Sequence, residues 1–309
     1  MSNLGLDGKV AIVTGSGQGL GRAYAVALAA AGAAVVVNDL SAEAAGETVS
    51  IITGAGGRAV AEVGAVGSSD VAQALVDRAA GEFGRLDILV TNAGVLRDRV
   101  LWKMTDEDFD LVMDTHLRGT FTCARAAAIK LREQGEGGRI IVVGSPAGEF
   151  GNFGQTNYAA AKAGIVTFAR VWSMELARNG ITANAIVPTA WTQMTATIPI
   201  YGPLTAGAAE GRDFPAQVRR EHAIGWPEDC APLVVFLASD AAAGITGQAI
   251  GIGGDRLTLY AHSSELSHKL RDGGWDVESI AAEWESSFAP LAQPSGVTLP
   301  PLDLEQAGA

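Results

Sequence analysis

Three features of the sequence predict a doubly wound α/β fold built on a seven-stranded parallel sheet. Short apolar runs lack the in–out alternation of a half-exposed strand, so both faces of each run must be covered. Helix-spaced segments separate the runs, as crossover connections between parallel strands require. A glycine-rich turn follows the first run, at the end of the sheet where such folds hold ligands.

The order along the chain is regular. The run 9–14 (KVAIVT) leads through Gly15-Ser-Gly-Gln-Gly-Leu-Gly21 into an alanine-rich helix that reaches residue 32. The run 33–39 (AAVVVND) ends on a carboxylate. Next come helix 41–54, strand 58–63, helix 68–83, strand 86–91 and a long helix over 106–133, opened by the capping signal Thr105-Asp-Glu-Asp108. Strand 139–144, helix 156–179, strand 181–187, helix 227–239 and strand 248–253 complete one domain over residues 1–254. Two stretches break the rhythm. Residues 188–214, rich in Pro and Gly, read as a long loop with one short helix, the kind of segment that covers a binding site. Residues 255–309 hold one helix over 276–288 and a proline-broken tail, an extension that packs either on the body or on a neighbouring subunit.

Composition narrows the function. A chain of 309 residues, 48% apolar, buries a large core, and its net charge of -12 argues against nucleic acid, which needs a basic footprint. Cys123 and Cys230 lack CxxC spacing and read as buried thiols in a reducing compartment. His116, His222, His262 and His268 lack metal-ligand spacing, so no metal is expected. No signal-peptide core, peroxisomal tripeptide or apolar run long enough for a membrane span is present, and a soluble cytoplasmic protein is expected.

Within 156–179, Tyr158, Ala161, Ile165, Phe168 and Trp172 recur at three- and four-residue steps. Tyr158 and Lys162 therefore share one helical face. A free phenol titrates near ~10, and a cation about 4 Å away at an effective dielectric near 20 is worth roughly three pKa units. The expectation is a tyrosine that exchanges a proton near pH ~7–8, although the same spacing also occurs on plain solvated helices. Gly15, Gly19 and Gly21 lie between a strand and a helix, so the backbone can approach a pyrophosphate at a helix N-terminus. Asp39, about twenty residues on, suits the hydroxyls of an adenine ribose and would repel a 2′-phosphate. Gln18 and Leu40, where a compensating cation would stand, are uncharged, so NAD is expected over NADP. The competing reading of Asp39 is a helix N-cap.

With these residues in place, the chain over residues 6–254 resembles the classical short-chain dehydrogenase/reductases. The matches are Thr14-Gly15-x-x-x-Gly19-x-Gly21, Asn92-Ala93-Gly94, Ser145 thirteen residues before Tyr158, Tyr158-x-x-x-Lys162, Pro188 and Thr192. The resemblance implies a Rossmann-type fold with Tyr158 as general acid/base, Lys162 lowering its pKa and Ser145 donating to the substrate oxygen. It further implies that Gly15, Gln18, Gly19, Leu20, Gly21, Asp39, Leu40, Val66, Asn92, Ala93, Gly94, Tyr158, Lys162, Pro188 and Thr192 hold NAD. The chain departs from the family where a relay asparagine is usual, at His116, and where an adenine-contacting Asp is usual, at Ala65. His116 reads either as a relay residue, with activity falling below pH ~6.5, or as a core histidine.

A closer resemblance is to the dehydrogenase part of the peroxisomal multifunctional β-oxidation enzyme and its bacterial relatives. Gly19-Leu-Gly-Arg-Ala-Tyr24, Leu96-Arg-Asp-Arg99 and Thr115-His-Leu-Arg-Gly119 carry it. It implies a bulky apolar secondary alcohol or ketone as substrate, a (3R)-3-hydroxyacyl-CoA or a 17β-hydroxysteroid. Arg97, Arg99 and Arg118 read either as contacts for CoA phosphates or as ordinary surface arginines. Trp191, Met194, Ile198, Ile200 and Tyr201 read either as an apolar lid that suits a steroid or an acyl chain, or as side chains that close over the core. Pairing of the helices over 106–133 and 156–179 between copies is expected to give a homodimer or homotetramer. The reading from a different class is an NAD-binding regulator or an epimerase-like enzyme on the same scaffold.

Overall fold

In the computed structural model, residues 5–192, 195–197, 199–297 and 299–302 are described. The sheet begins with β1 (Val10–Thr14), α1 (Gly19–Ala30), β2 (Ala34–Asp39), α2 (Ala42–Gly54), β3 (Arg58–Val63), α3 (Ser69–Phe83) and β4 (Ile88–Thr91). It continues with α4 (Asp106–Val112), a π-helical turn (Met113–Arg118), α5 (Gly119–Gln134), β5 (Gly138–Val143), α6 (Pro146–Phe150), α7 (Thr156–Glu175) and β6 (Ile181–Pro188). After β6 come α8 (Thr205–Ala209), α9 (Ala216–Glu221), α10 (Pro227–Ala238), β7 (Ala249–Gly253), β8 (Arg256–Leu259) and α11 (Val277–Glu283). The strands stand in the order β3-β2-β1-β4-β5-β6-β7-β8, and all neighbours but the last pair are parallel.

The central strands are buried from end to end because their valines, isoleucines and alanines meet helices on both faces. One face packs α1, α2 and α10, with Tyr24, Leu28, Ile52, Val234 and Leu237 in its core. The other packs α3, α5 and α7, with Leu75, Leu131, Ile165 and Ala169. Strand order reverses between β1 and β4, so the carboxyl ends of β1, β4, β5 and β6 open into the crevice where doubly wound sheets bind ligands. No helix among the described residues is long and apolar enough to cross a membrane.

The seven expected parallel strands are present, and an eighth strand joins them. β8 pairs antiparallel with β7 through a tight turn at Gly254 and Asp255, so the sheet crosses the boundary expected after residue 254. Its four residues, RLTL, are largely exposed and too few to show periodicity. Gly-Asp between two short runs was the available hairpin signal. The long helix over 106–133 is likewise not uniform: the π turn interrupts it around His116. Of the expected capping box, Thr105 Oγ1 accepts from the Asp108 N–H at 3.2 Å.

The segment after β6 holds more structure than one short helix. Two 3-10 turns, Thr195–Thr197 and Pro199–Leu204, lead to α8 and α9. Tyr201, Leu204, Phe214, Val218 and Ile224 form a separate apolar cluster with Trp191, Trp226 and Leu302 around it. Met194 and Ile198 lie outside the described residues, as does the side chain of Ile200. The base of this lid is tied down by Arg219, which binds Asp255 at 2.8 Å and both Asp213 and Asp229 at 3.1 Å. The C-terminal tail contacts the body: the Gly296 N–H donates to the Phe150 carbonyl at 2.8 Å, and Gln217 donates to the Pro301 carbonyl at 3.2 Å.

Candidate active site

The crevice is assembled from turns that follow successive strands. Behind β1, Gly15 has φ +60, and a Cβ there would lie 2.6 Å from the Ala93 Cα, so the first and fourth strand ends meet through a bare backbone. Asn92 fastens the contact by donating through Nδ2 to the Gly15 carbonyl at 2.9 Å and to that of Thr14 at 3.2 Å. Gln18 caps α1 without a side-chain bond, and Gly19 and Gln18 are exposed at the positive end of a twelve-residue helix. Leu20 packs on the core behind them.

Asp39, at the end of β2, receives the Gly17 N–H on Oδ2 at 2.9 Å and the Ser41 N–H on Oδ1 at 3.1 Å. The N-cap of α2 is Ser41, whose hydroxyl accepts from Ala44, so the capping reading of Asp39 fails. Arg22, the cation of this turn, is committed to the Gly17 carbonyl, Thr48 and Glu47. Leu40 is 68% exposed beside Asp39, and Val66 packs against Gly119 on the π-turn side. An open helix N-terminus, a glycine cradle and a half-buried carboxylate at the second strand fit a dinucleotide. Pro188 ends β6 opposite Ile252, and Thr192 bonds Thr195 through Oγ1 at 3.2 Å, so both stand at the same strand ends.

Opposite the cradle, Ser145 follows β5 and caps α6, accepting from the Ala147 N–H at 3.2 Å with Pro146 in the first helical position. α6 lies hard on α7: a Cβ on Gly148 would stand 2.7 Å from both the Lys162 carbonyl carbon and the Ala163 nitrogen. That approach brings Ser145 close enough to the Tyr158 phenol to lower its pKa. Lys162, 4% exposed, donates to the Val143 carbonyl at 2.7 Å, and its Nζ lies 5.6 Å from the Tyr158 ring centroid. The His116 and Tyr158 rings meet edge to face at 5.1 Å. Tyr158, Lys162, Ser145 and His116 are thus one group.

The electrostatics differ from the expectation. A backbone carbonyl, that of Val143, holds the Lys162 ammonium. Burial raises the Tyr158 pKa, Ser145 pulls it down, and the charge of Asp98 raises it further. Burial lowers Lys162 to about 7. His116 is lowered to about 3, first by burial and then by the charge of Lys162. Its Nε2 lies 2.8 Å from the Val95 carbonyl oxygen and 3.0 Å from the Val95 nitrogen, while Nδ1 is buried without a partner. The imidazole is therefore neutral at working pH, and the expected break near pH ~6.5 moves out of range.

Of the three arginines, Arg118 donates to the Gly67 carbonyl at 3.1 Å, and Arg97 and Arg99 flank Asp108 at 4.0 and 3.8 Å. Sequence reasoning missed Asn157, Gln155 and Asp98 around the tyrosine. The polar run Gln155-Thr-Asn157 before Tyr158 was the one available signal, because their partners lie some fifty residues away. Among the described residues no cluster of three His, Cys, Asp or Glu is placed to hold a metal.

The short-chain dehydrogenase family model matches residues 9–199. Hydroxyacyl-CoA dehydrogenase ChsB1 of Mycobacterium tuberculosis is 40% identical over 297 residues, covering 92% of this chain and 90% of that one. Peroxisomal multifunctional enzyme type 2 of Drosophila melanogaster is 48% identical over 198 residues, 61% of this chain. The matched stretch is 32% of that longer protein, so the chain spans about a third of the length of its multifunctional relatives. The crystal structure of a short chain dehydrogenase from Mycobacterium avium superposes with a TM-score of 0.80 at 36% identity, covering 94% of this chain and 98% of that chain. The chain belongs to the short-chain dehydrogenase family, an oxidoreductase family whose members generally bind NAD(P).

Proposed function

We propose that this short-chain dehydrogenase is NAD-dependent and interconverts a secondary alcohol and its ketone on a bulky apolar substrate. A (3R)-3-hydroxyacyl-CoA ranks ahead of a 17β-hydroxysteroid, since a relative matched along nine-tenths of its length is a hydroxyacyl-CoA dehydrogenase. The observation that carries the reading is the grouping of Tyr158, Ser145, Lys162 and His116 at the carboxyl ends of β4 and β5, facing the glycine cradle. A binding module has no use for a phenol grouped with a serine and a buried amine.

In this reading the turn 15–21 holds the pyrophosphate and Asp39 the adenine ribose, with Leu40 and Val66 flanking the adenine. Asn92, Ala93, Gly94, Pro188 and Thr192 line the nicotinamide end. The nicotinamide supplies the hydride acceptor for alcohol oxidation. The chain supplies the rest: Ser145 Oγ donates to the substrate oxygen and Tyr158 Oη takes its proton. Lys162 stands over the ring and, when protonated, stabilises the phenolate. His116 presents a buried Nδ1 near the phenol as a neutral hydrogen-bonding group.

The exposed faces of α5 and α7 support a homodimer or homotetramer built on them. Phe168 stacks on Trp172 with centroids 4.8 Å apart, and both rings line shallow hollows that also expose Leu117, Phe121 and Ile129. The function is tested by following absorbance at ~340 nm with NAD⁺ and matched panels of 3-hydroxyacyl-CoAs and steroid alcohols. Turnover on hydroxyacyl-CoAs with NAD⁺ preferred is expected; no turnover on either panel, with NADH still bound, would return the chain to a regulator.

A further inference from the structure

The irregular loop between β4 and α4 is stitched to the segment that enters α7. The Arg99 N–H donates to the Gly154 carbonyl at 2.9 Å, and Arg99 and Gln155 form an isolated parallel bridge. Gln155 donates through Nε2 to Asp98 Oδ2 at 2.8 Å and is itself oriented by Asn152, which donates to its Oε1 at 2.9 Å. Asn157 is fully buried and donates through Nδ2 to the carbonyls of Arg97 and Asp108, both at 3.1 Å. Its Oδ1 accepts the Tyr158 N–H at 2.8 Å. Residues 97–99 therefore hold the first turn of α7 at several points, and that turn carries Tyr158.

Asp98 also brings a negative charge to this rim. The groups facing the phenol are Lys162 on its own helix, Ser145 at the start of α6 and His116 on the π turn. On the loop side, Arg97 and Arg99 are engaged with Asp108, and Asp98 is held by an uncharged amide. The charge of Asp98 acts on the phenol in the direction that keeps it protonated. We propose that Asp98, tethered by Gln155, is a positioning residue that sets the pH range over which Tyr158 exchanges its proton. This rests on the reading of Tyr158 as the acid/base.

The sign is definite. Alcohol oxidation needs the ionised phenol, so kcat/KM rises with pH through the tyrosine limb. Removing a neighbouring negative charge favours the phenolate and moves that limb to lower pH. Asp98→Asn keeps the shape of the side chain and is expected to shift the limb to lower pH at low ionic strength. Asp98 is exposed, so the shift shrinks in ~0.5 M salt. Asp98→Glu keeps the charge and holds the limb near that of the parent. Superposed profiles for the parent and Asp98→Asn at low salt overturn the proposal, as does a shift indifferent to salt, which marks repacking. Tyr158→Phe, assayed alongside, separates the two claims. Retained turnover in it removes the acid/base reading itself, whereas an inactive Tyr158→Phe with an unmoved Asp98→Asn profile removes the role of Asp98 alone.

Discussion

The floor and the lid of the crevice are held together by different physics. On the floor, Ser145, Tyr158, Lys162 and His116 sit on elements locked by parallel-strand register, by the contact of α6 with α7 and by buried hydrogen bonds such as those of Asn157. In the lid, five buried apolar side chains form a cluster of their own, and Arg219 joins three partly exposed carboxylates to anchor it. Close packing transmits a misplacement of one methyl group directly to the reacting atoms. An ion-pair clamp over a small cluster gives way by degrees. Chemistry should therefore respond to the floor, and substrate affinity to the lid.

The strongest way to break that contrast is Gly148→Ala. The added methyl meets backbone atoms of α7, so α6 must move and take Ser145 with it. Overpacking of this kind costs about 1–3 kcal/mol of stability, and kcat should fall by roughly a hundredfold while NADH still binds. An unchanged kcat would show that the approach of α6 to α7 does not place Ser145. A smaller effect is expected from Arg219→Leu. Loss of the clamp should raise the substrate KM several-fold, leave kcat close to that of the parent and lower Tm by a few degrees. A kcat loss matching that of Gly148→Ala would erase the distinction between the two regions.

The smallest effect sharpens the description of the floor itself. Lys162 sits near 7 in the folded chain against its usual 10.5. The unfolded chain holds that proton more firmly, so the charge opposes folding in full below about pH 7, and the opposition fades as pH rises toward 10.5. Lys162→Met removes it. The Tm difference, variant minus parent, should be most positive near pH ~6 and decline by pH ~9.5 in the ligand-free protein. A difference constant with pH would mean that the amine titrates normally.

The floor was legible because its signals are local. Apolar runs report burial on both faces, and Tyr158 and Lys162 stand four apart on one helix. The glycines around residue 15 mark a turn whatever its partner is. The lid was not, because Arg219, Asp213, Asp229 and Asp255 meet only after the chain has folded, and nothing in their spacing pairs them. The same limit hid the contacts of Asp98 and Asn157 and left the two readings of His116 open, since burial is a property of the surroundings. The Val143 carbonyl that holds the Lys162 ammonium was hidden for another reason: helical spacing gives the face shared with Tyr158 but says nothing of a strand nineteen residues back.

The π turn at Met113–Arg118 has a consequence for transplanting this site. Such a turn accommodates one residue more than ordinary helical winding, so α5 is rotated by about 100° relative to an uninterrupted rod. Wound without it, α4 and α5 could not both present the sides they now bury, and the imidazole would swing off the phenol edge. The histidine's address is written in how the main chain coils. Grafting the side chain onto a straight helix of a homologous scaffold would leave it pointing elsewhere.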